Sequence, residues 1–235
     1  MSLEYWHSIQ RSVIKVIIFF ALTFVTALLY SKSIYSWIEH PLLHDLPSHH
    51  LISTSLTHIA TMPLQLSGWV SLFITMPYAL YELWRFVAPA LTRHEQFKFL
   101  GVMILSVMLF ILGAGVAYYV ILPILFNALL QMAPRSVEVL PDMNLYLNFV
   151  GTWTITFGLL AQLPLMMCVL TYLRLFQSRI WFDYRPHAMV LSFVVGMLLT
   201  PPDVVSQLLL ALPLCGLYQL GCYLAFKCTS ENQKA

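Results

Sequence analysis

Apolar positions along this chain gather into long runs separated by short polar stretches. A helix that crosses a hydrocarbon core of about 30 Å needs about 20 mostly apolar residues. On that template six runs stand out, at roughly 13–30, 64–83, 99–122, 147–170, 187–200 and 205–226. The pattern predicts an all-α membrane protein of six transmembrane helices. No repeat, low-complexity run or linker interrupts it, so residues 1–235 read as a single integral membrane domain. An even number of crossings puts both termini on one side.

Composition agrees with the pattern. The 235 residues are 60% hydrophobic and 9% charged, against about 25% charged in ordinary soluble domains, and mean hydropathy is +0.79. So few charges cannot cover a soluble core. The net charge of +2 gives no reason to expect nucleic acid. The first run is too long for a signal-peptide core and lacks a small-residue cleavage site after it, so it reads as a retained span. Cys168, Cys215, Cys222 and Cys228 fall inside or just after apolar runs, where they read as small apolar fillers with no disulfide framework implied.

Charge sets the orientation. Arg11, Lys15, Arg85, Arg93, Lys98, Arg174, Arg179, Arg185, Lys227 and Lys234 share the face of the termini, and only Lys32 and Arg135 fall opposite. The positive-inside rule therefore predicts an N-in, C-in topology. The first outer connection, 31–63, holds SIYSWIEHPLL, whose apolar spacing suits a short interfacial helix. The second, 123–148, holds PILFNALLQMAP, read as a separate half-exposed helix, and then a turn into the fourth span. The third is the TPPD stretch, Thr200 to Asp203.

Polar groups inside spans cost free energy and so point to function or to packing. Gln162, near the middle of the fourth span, is followed by Pro164, which can kink the helix. It reads equally as an interhelical hydrogen bond, typically worth about 0.6 kcal/mol, or as a docking point for a partner helix. Pro77 and Pro213 predict further bends, and three bent spans suggest a curved bundle. Gly113 and Gly115 permit close helix contact. In FVAPALTRHEQFKF, Pro89 predicts a turn after which Thr92 caps the third span with Glu95 at the third helical position. Glu95 is also a carboxylate that a guanidinium can engage in a bidentate pair.

His40, His44, His49, His50 and His58 crowd the first outer segment. Pro41 disturbs the one i, i+4 pair, His40 and His44, so solvated imidazoles are favoured over a metal site. No G-x-S-x-G or H-E-x-x-H occurs, and Ser206 has no histidine near it in sequence. An intramembrane enzyme thus lacks a catalytic group to build on. A small secondary transporter or channel would call for charged or broken helices at the midplane and an internal repeat, and neither is visible.

Three stretches, FVAPALTRHE (Phe86 to Glu95), GVAYYVILPI (Gly115 to Ile124) and FVVGMLLTPPDVVSQLLLALPL (Phe193 to Leu214), together resemble the TatC family. These are the multispanning subunits of the bacterial twin-arginine (Sec-independent) protein translocase, and the likeness extends in order and spacing over essentially the whole chain. It implies a curved, glove-shaped bundle with two short final helices in the cytoplasmic membrane. It further implies recognition of twin-arginine signal peptides on folded cargo, and work with TatA-like and TatB-like single-span partners in a multimeric complex driven by the protonmotive force. No enzymatic activity, cofactor or metal is implied. Glu95 matches the family's inner-loop acid that pairs with the signal's arginines, and Phe86 and Pro89 match the framework of that loop. Asp203 matches the acid of the outer turn, and Pro41 a proline of the first outer loop.

Two departures from the family pattern are informative. The N-terminal segment resembles H-L-x-E-L-R-x-R, and aligning on Arg11 puts His7 where the family has an acid; Glu4, three residues earlier, is one helical turn away and is expected to substitute. Gln162 stands where family members often carry glutamate, which keeps a docking role and disfavours a proton-carrying one. The fifth run, 187–200, rises only about 21 Å as a helix, so it is a short span. Pro201 and Pro202 end it, and Asp203 is placed to cap the sixth.

Overall fold

The structure, a computed structural model, describes residues 2–35, 56–87, 93–132, 142–173, 175–199 and 204–232. Its elements are α1 (Ser2–Leu29), α2 (Leu56–Val87), α3 (Arg93–Val116), a π-helical turn (Ala117–Ile121), α4 (Leu122–Met132), α5 (Met143–Leu160), α6 (Leu163–Tyr172), α7 (Ser178–Asp183), α8 (Arg185–Leu199) and α9 (Val204–Asn232). Among the described residues, the segments 9–29, 100–127, 143–172 and 207–227 are long and apolar enough to cross a membrane, and 185–198 is a shorter apolar helix. The length of α2 would suffice. Its buried Ser67, Ser71, Thr75 and Glu82 make it more polar than the others. The chain divides into two compact units, Met1–Val107 with Arg135–Ile155, and Met108–Pro134 with Thr156–Ala235.

In the first unit α1 packs along α2. No glycine or proline interrupts the sequence of α1, so helix is the local default. Ser12 meets Glu82, the rings of Phe19 and Tyr78 pack tilted with centroids 4.7 Å apart, and the hydroxyls of Thr23 and Thr75 lie 3.4 Å apart. Positions rising along α1 meet positions falling along α2, so the pair is antiparallel. The rest of α1, including Ile17, Ile18 and Leu22, is exposed, a broad apolar surface suited to lipid. The hydroxyls of Ser67 and Ser71 donate to the carbonyls of Pro63 and Ser67 at 2.6 and 2.5 Å, which satisfies them inside the helix.

The start of α5 belongs to this unit. Asp142 Oδ1 accepts the backbone N–H of Asn144 at 2.9 Å and caps the helix. Trp69 Nε1 donates to Asn148 Oδ1 at 3.0 Å. A Cβ at Gly151 would lie 2.3 Å from the Trp69 ring, so the indole can approach only because residue 151 has no side chain.

In the second unit the helix continues from the end of α3 through the π turn into α4. The half-exposed helix expected over PILFNALLQMAP forms, but as a continuation of α3 and not apart from it. The Leu122 N–H bonds to the Ala117 carbonyl five residues back, and this shifted ladder accommodates Pro123, which has no N–H to give. Leu122 and Leu125 are buried. A Cβ at Gly113 would fall 2.6 Å from Ala161 Cβ and one at Gly158 2.6 Å from Phe110. Close contact is thus real at Gly113, whereas Gly115 has nothing within 4 Å of its would-be Cβ.

The fourth apolar run is broken where Gln162 and Pro164 predict a kink: α5 ends at Leu160, residues 161–162 turn, and α6 begins at Leu163. α9 packs against α6 and α8 and runs on through Pro213. Trp181 of α7 donates to Thr171 at 3.0 Å, and its carbonyl accepts from Tyr218 at 2.9 Å, which ties α7 to both α6 and α9. Cys168 is disulfide-bonded, correcting the reading of all four cysteines as fillers, while Cys215 and Cys222 are free. Cysteines scattered over apolar runs give no hint of such a pairing.

Candidate functional site

The end of the α1/α2 pair at which α1 begins and α2 finishes carries the densest polar chemistry described. At its centre is Glu82, whose side chain is 3% exposed. Ser12 Oγ donates to Oε2 at 2.8 Å. Tyr78 OH donates to Oε1 at 3.3 Å, and Lys15 Nζ and Arg85 Nη1 lie 3.8 and 3.5 Å from the same oxygen. Burying a carboxylate is costly unless its lone pairs are used and its charge is met. Here both conditions hold.

The geometry follows from helical spacing. Tyr78, Glu82 and Arg85 are four and three residues apart and share one stripe of α2, and Ser12 and Lys15, three apart, share one stripe of α1. Antiparallel packing brings the stripes together. Lys15 and Arg85 are 48% and 57% exposed, so their charges are screened and the Ser12 hydrogen bond is the tight contact. Sequence reasoning missed Glu82. The signal was an acid inside an apolar run with Tyr78 and Arg85 at helical spacing on either side.

The residues singled out from sequence sit around this cluster along the chain. Glu4 lies in the first turn of α1, His7 and Arg11 follow on the same helix, and both of the latter are exposed. Phe86 lies in the last turn of α2. Glu95 is the third residue of α3, the backbone position that a capping box requires. The side chains of Glu4, Phe86 and Glu95 lie outside the described residues, as do Pro89 and Thr92. All of these positions belong to the first unit.

Gln162, in the second unit, is 5% exposed at the α5–α6 break. Its N–H bonds to the Leu159 carbonyl at 3.0 Å, and its own carbonyl accepts from Met166 at 2.9 Å. The backbone at the break is thereby satisfied although Pro164 cannot donate. Pro41, Asp203 and the histidines at 40, 44, 49 and 50 lie outside the described residues.

The comparisons with known proteins agree with one another. The family model described as TatC, Sec-independent protein translocase protein, matches residues 4–213. The Sec-independent protein translocase protein TatC of Haemophilus influenzae is 34% identical over 218 residues, covering 92% of this chain and 85% of that protein. Its Escherichia coli K12 counterpart is 34% identical over 216 residues, covering 92% and 84%. A crystal structure of the twin-arginine translocase receptor TatC superposes with a TM-score of 0.86 at 29% identity, covering 96% of this chain and 99% of that one. By sequence and by fold, the chain belongs to the TatC family of Sec-independent protein translocase proteins.

Proposed function

We propose that this chain is the receptor subunit of a twin-arginine translocase, binding the paired arginines of signal peptides on folded cargo. The observation that carries the reading is the similarity, over nearly the full length of both chains, to a structure described as a twin-arginine translocase receptor. In this reading the chain crosses the bacterial cytoplasmic (inner) membrane six times as one domain, with both termini inside. Glu95 receives the signal's guanidinium groups, with Phe86 and Pro89 shaping the loop. Glu4, His7 and Arg11 form the N-terminal part of the same surface. Glu4 takes the part of the family's acid, because a histidine cannot form the bidentate pair that a carboxylate can.

Gln162, Pro41 and Asp203 contact partner helices of TatA-like and TatB-like proteins, and several copies of the chain assemble in one receptor complex. Transport draws on the protonmotive force, and the chain itself catalyses no covalent step. The deciding experiment is export of a folded twin-arginine reporter in cells lacking their own TatC. Export is expected with the wild-type chain, and Glu95→Ala should lower it at least tenfold. Equal export by the two would overturn the role of Glu95, and no export by either would overturn the function.

A further inference from the structure

Nothing in the family resemblance draws attention to Glu82, yet it is a buried acid held from two helices at once. From α1 it takes the Ser12 hydrogen bond at 2.8 Å and the Lys15 ammonium at 3.8 Å. From its own helix it takes Tyr78 at 3.3 Å and Arg85 at 3.5 Å. Further along the pair, the contacts between α1 and α2 include a tilted ring pair, Phe19 and Tyr78, and a long hydroxyl contact at Thr23 and Thr75. The Ser12–Glu82 bond, at 2.8 Å, is tighter than the 3.4 Å hydroxyl contact and lies nearer the N-terminal end of α1.

Its place along the chain matters as much as its partners. Arg11 directly precedes Ser12, and Glu4 is eight residues before it, about 12 Å along the helix. On the other side Phe86 is one turn beyond Glu82. The latch therefore joins the helix that carries the N-terminal candidates to the helix that leads into the Phe86 to Glu95 loop.

We propose that Glu82 is a positioning residue for signal-peptide binding: by holding Ser12 and Lys15 it fixes the N-terminal turns of α1 against the inner end of α2, so that both halves of the recognition surface are presented together. Glu82 does not touch the peptide, because its oxygens are already occupied. The proposal rests on the receptor reading above.

The test uses the full chain in membranes, a twin-arginine precursor as probe, and Glu82→Ala, Glu82→Gln and Glu95→Gln variants adjusted to equal membrane levels. Precursor affinity is expected to fall about tenfold in Glu82→Ala and at most about threefold in Glu82→Gln, whose amide oxygen still accepts from Ser12. Nitroxides at positions 10 and 83 should give a broader distance distribution in Glu82→Ala than in wild type, and a narrow one in Glu82→Gln. Wild-type affinity and a narrow distribution in Glu82→Ala would overturn the proposal, as would loss of affinity in Glu82→Gln as deep as in Glu82→Ala. If Glu82→Ala fails to accumulate, the charge exchange Lys15→Glu with Glu82→Lys takes its place: binding should be lost in Lys15→Glu alone and recovered in the pair, and no recovery would overturn the proposal. The wild-type chain and Glu95→Gln together separate the two levels. Unchanged binding in Glu95→Gln removes only Glu95 from the recognition surface; no precursor binding by the wild-type chain defeats the receptor reading itself, whereas wild-type binding that is reduced in Glu95→Gln and unchanged in Glu82→Ala defeats only the positioning role.

Discussion

At the scale of single residues, Glu82 stands apart at one end of the α1/α2 pair. Glu82 is spent on holding helices together, since its oxygens already serve Ser12, Tyr78, Lys15 and Arg85. In the proposed receptor reading, Glu95 and Glu4 are the carboxylates for an incoming guanidinium. Because α1 is helical from Ser2 onward, Glu4, His7 and Arg11 are spaced by three and four residues and fall on one face. The exposed His7 and Arg11 thus mark the face on which Glu4 would meet a peptide. Glu4→Ala is expected to lower crosslinking of a twin-arginine precursor to α1 at least threefold, measured with a photoreactive side chain at position 8. Undiminished crosslinking, together with undiminished export, would remove Glu4 from the surface.

At the scale of elements, the break between α5 and α6 shows what local sequence can and cannot disclose. Pro164 lacks a donor, so a disturbance near it was legible from one residue, and the turn at 161–162 is where that rule puts it. The passage through Pro123 was not legible, because a proline reads as a helix boundary unless the ladder slips, and the slip at Ala117–Ile121 has no residue signature. Glu82 was hidden for another reason. Averaging over an apolar window hides one acid, and the partners that justify its burial include a residue 70 positions away. Gln162 is the functional question left at the break. The backbone around it is satisfied without the side chain, and leucine matches the volume of the buried glutamine. Gln162→Leu should therefore keep the chain in the membrane and precursor affinity within about twofold, while co-purification of a TatB-like or TatA-like partner falls several-fold. Full co-purification would reduce Gln162 to an internal packing residue.

At the scale of the whole molecule, the number of crossings turns on α2, which is not among the segments apolar enough to cross, and on the short α8. The fifteen residues of α8, Arg185–Leu199, rise about 22 Å, short of a hydrocarbon core of about 30 Å. A bilayer can thin locally to meet a short span, at a cost of fractions of a kcal/mol per Å of mismatch, which is small beside the cost of leaving an apolar helix in water. Charge favours the crossing as well. Arg179 precedes α8, Arg185 opens it, and Lys227 and Lys234 lie at the far end of the chain; with α8 and α9 both crossing, these four share one side, as the positive-inside rule prefers. Were α8 to lie in the interface, α9 alone would carry the chain across, and the C-terminus would end on the side opposite the N-terminus. Tags at the two ends, probed by protease in intact cells and in inverted vesicles, therefore count the crossings by parity. Both tags are expected to resist protease from outside and to be cut in inverted vesicles. A C-terminal tag cut from outside while the N-terminal one is protected would make the number of crossings odd and the six-span topology wrong.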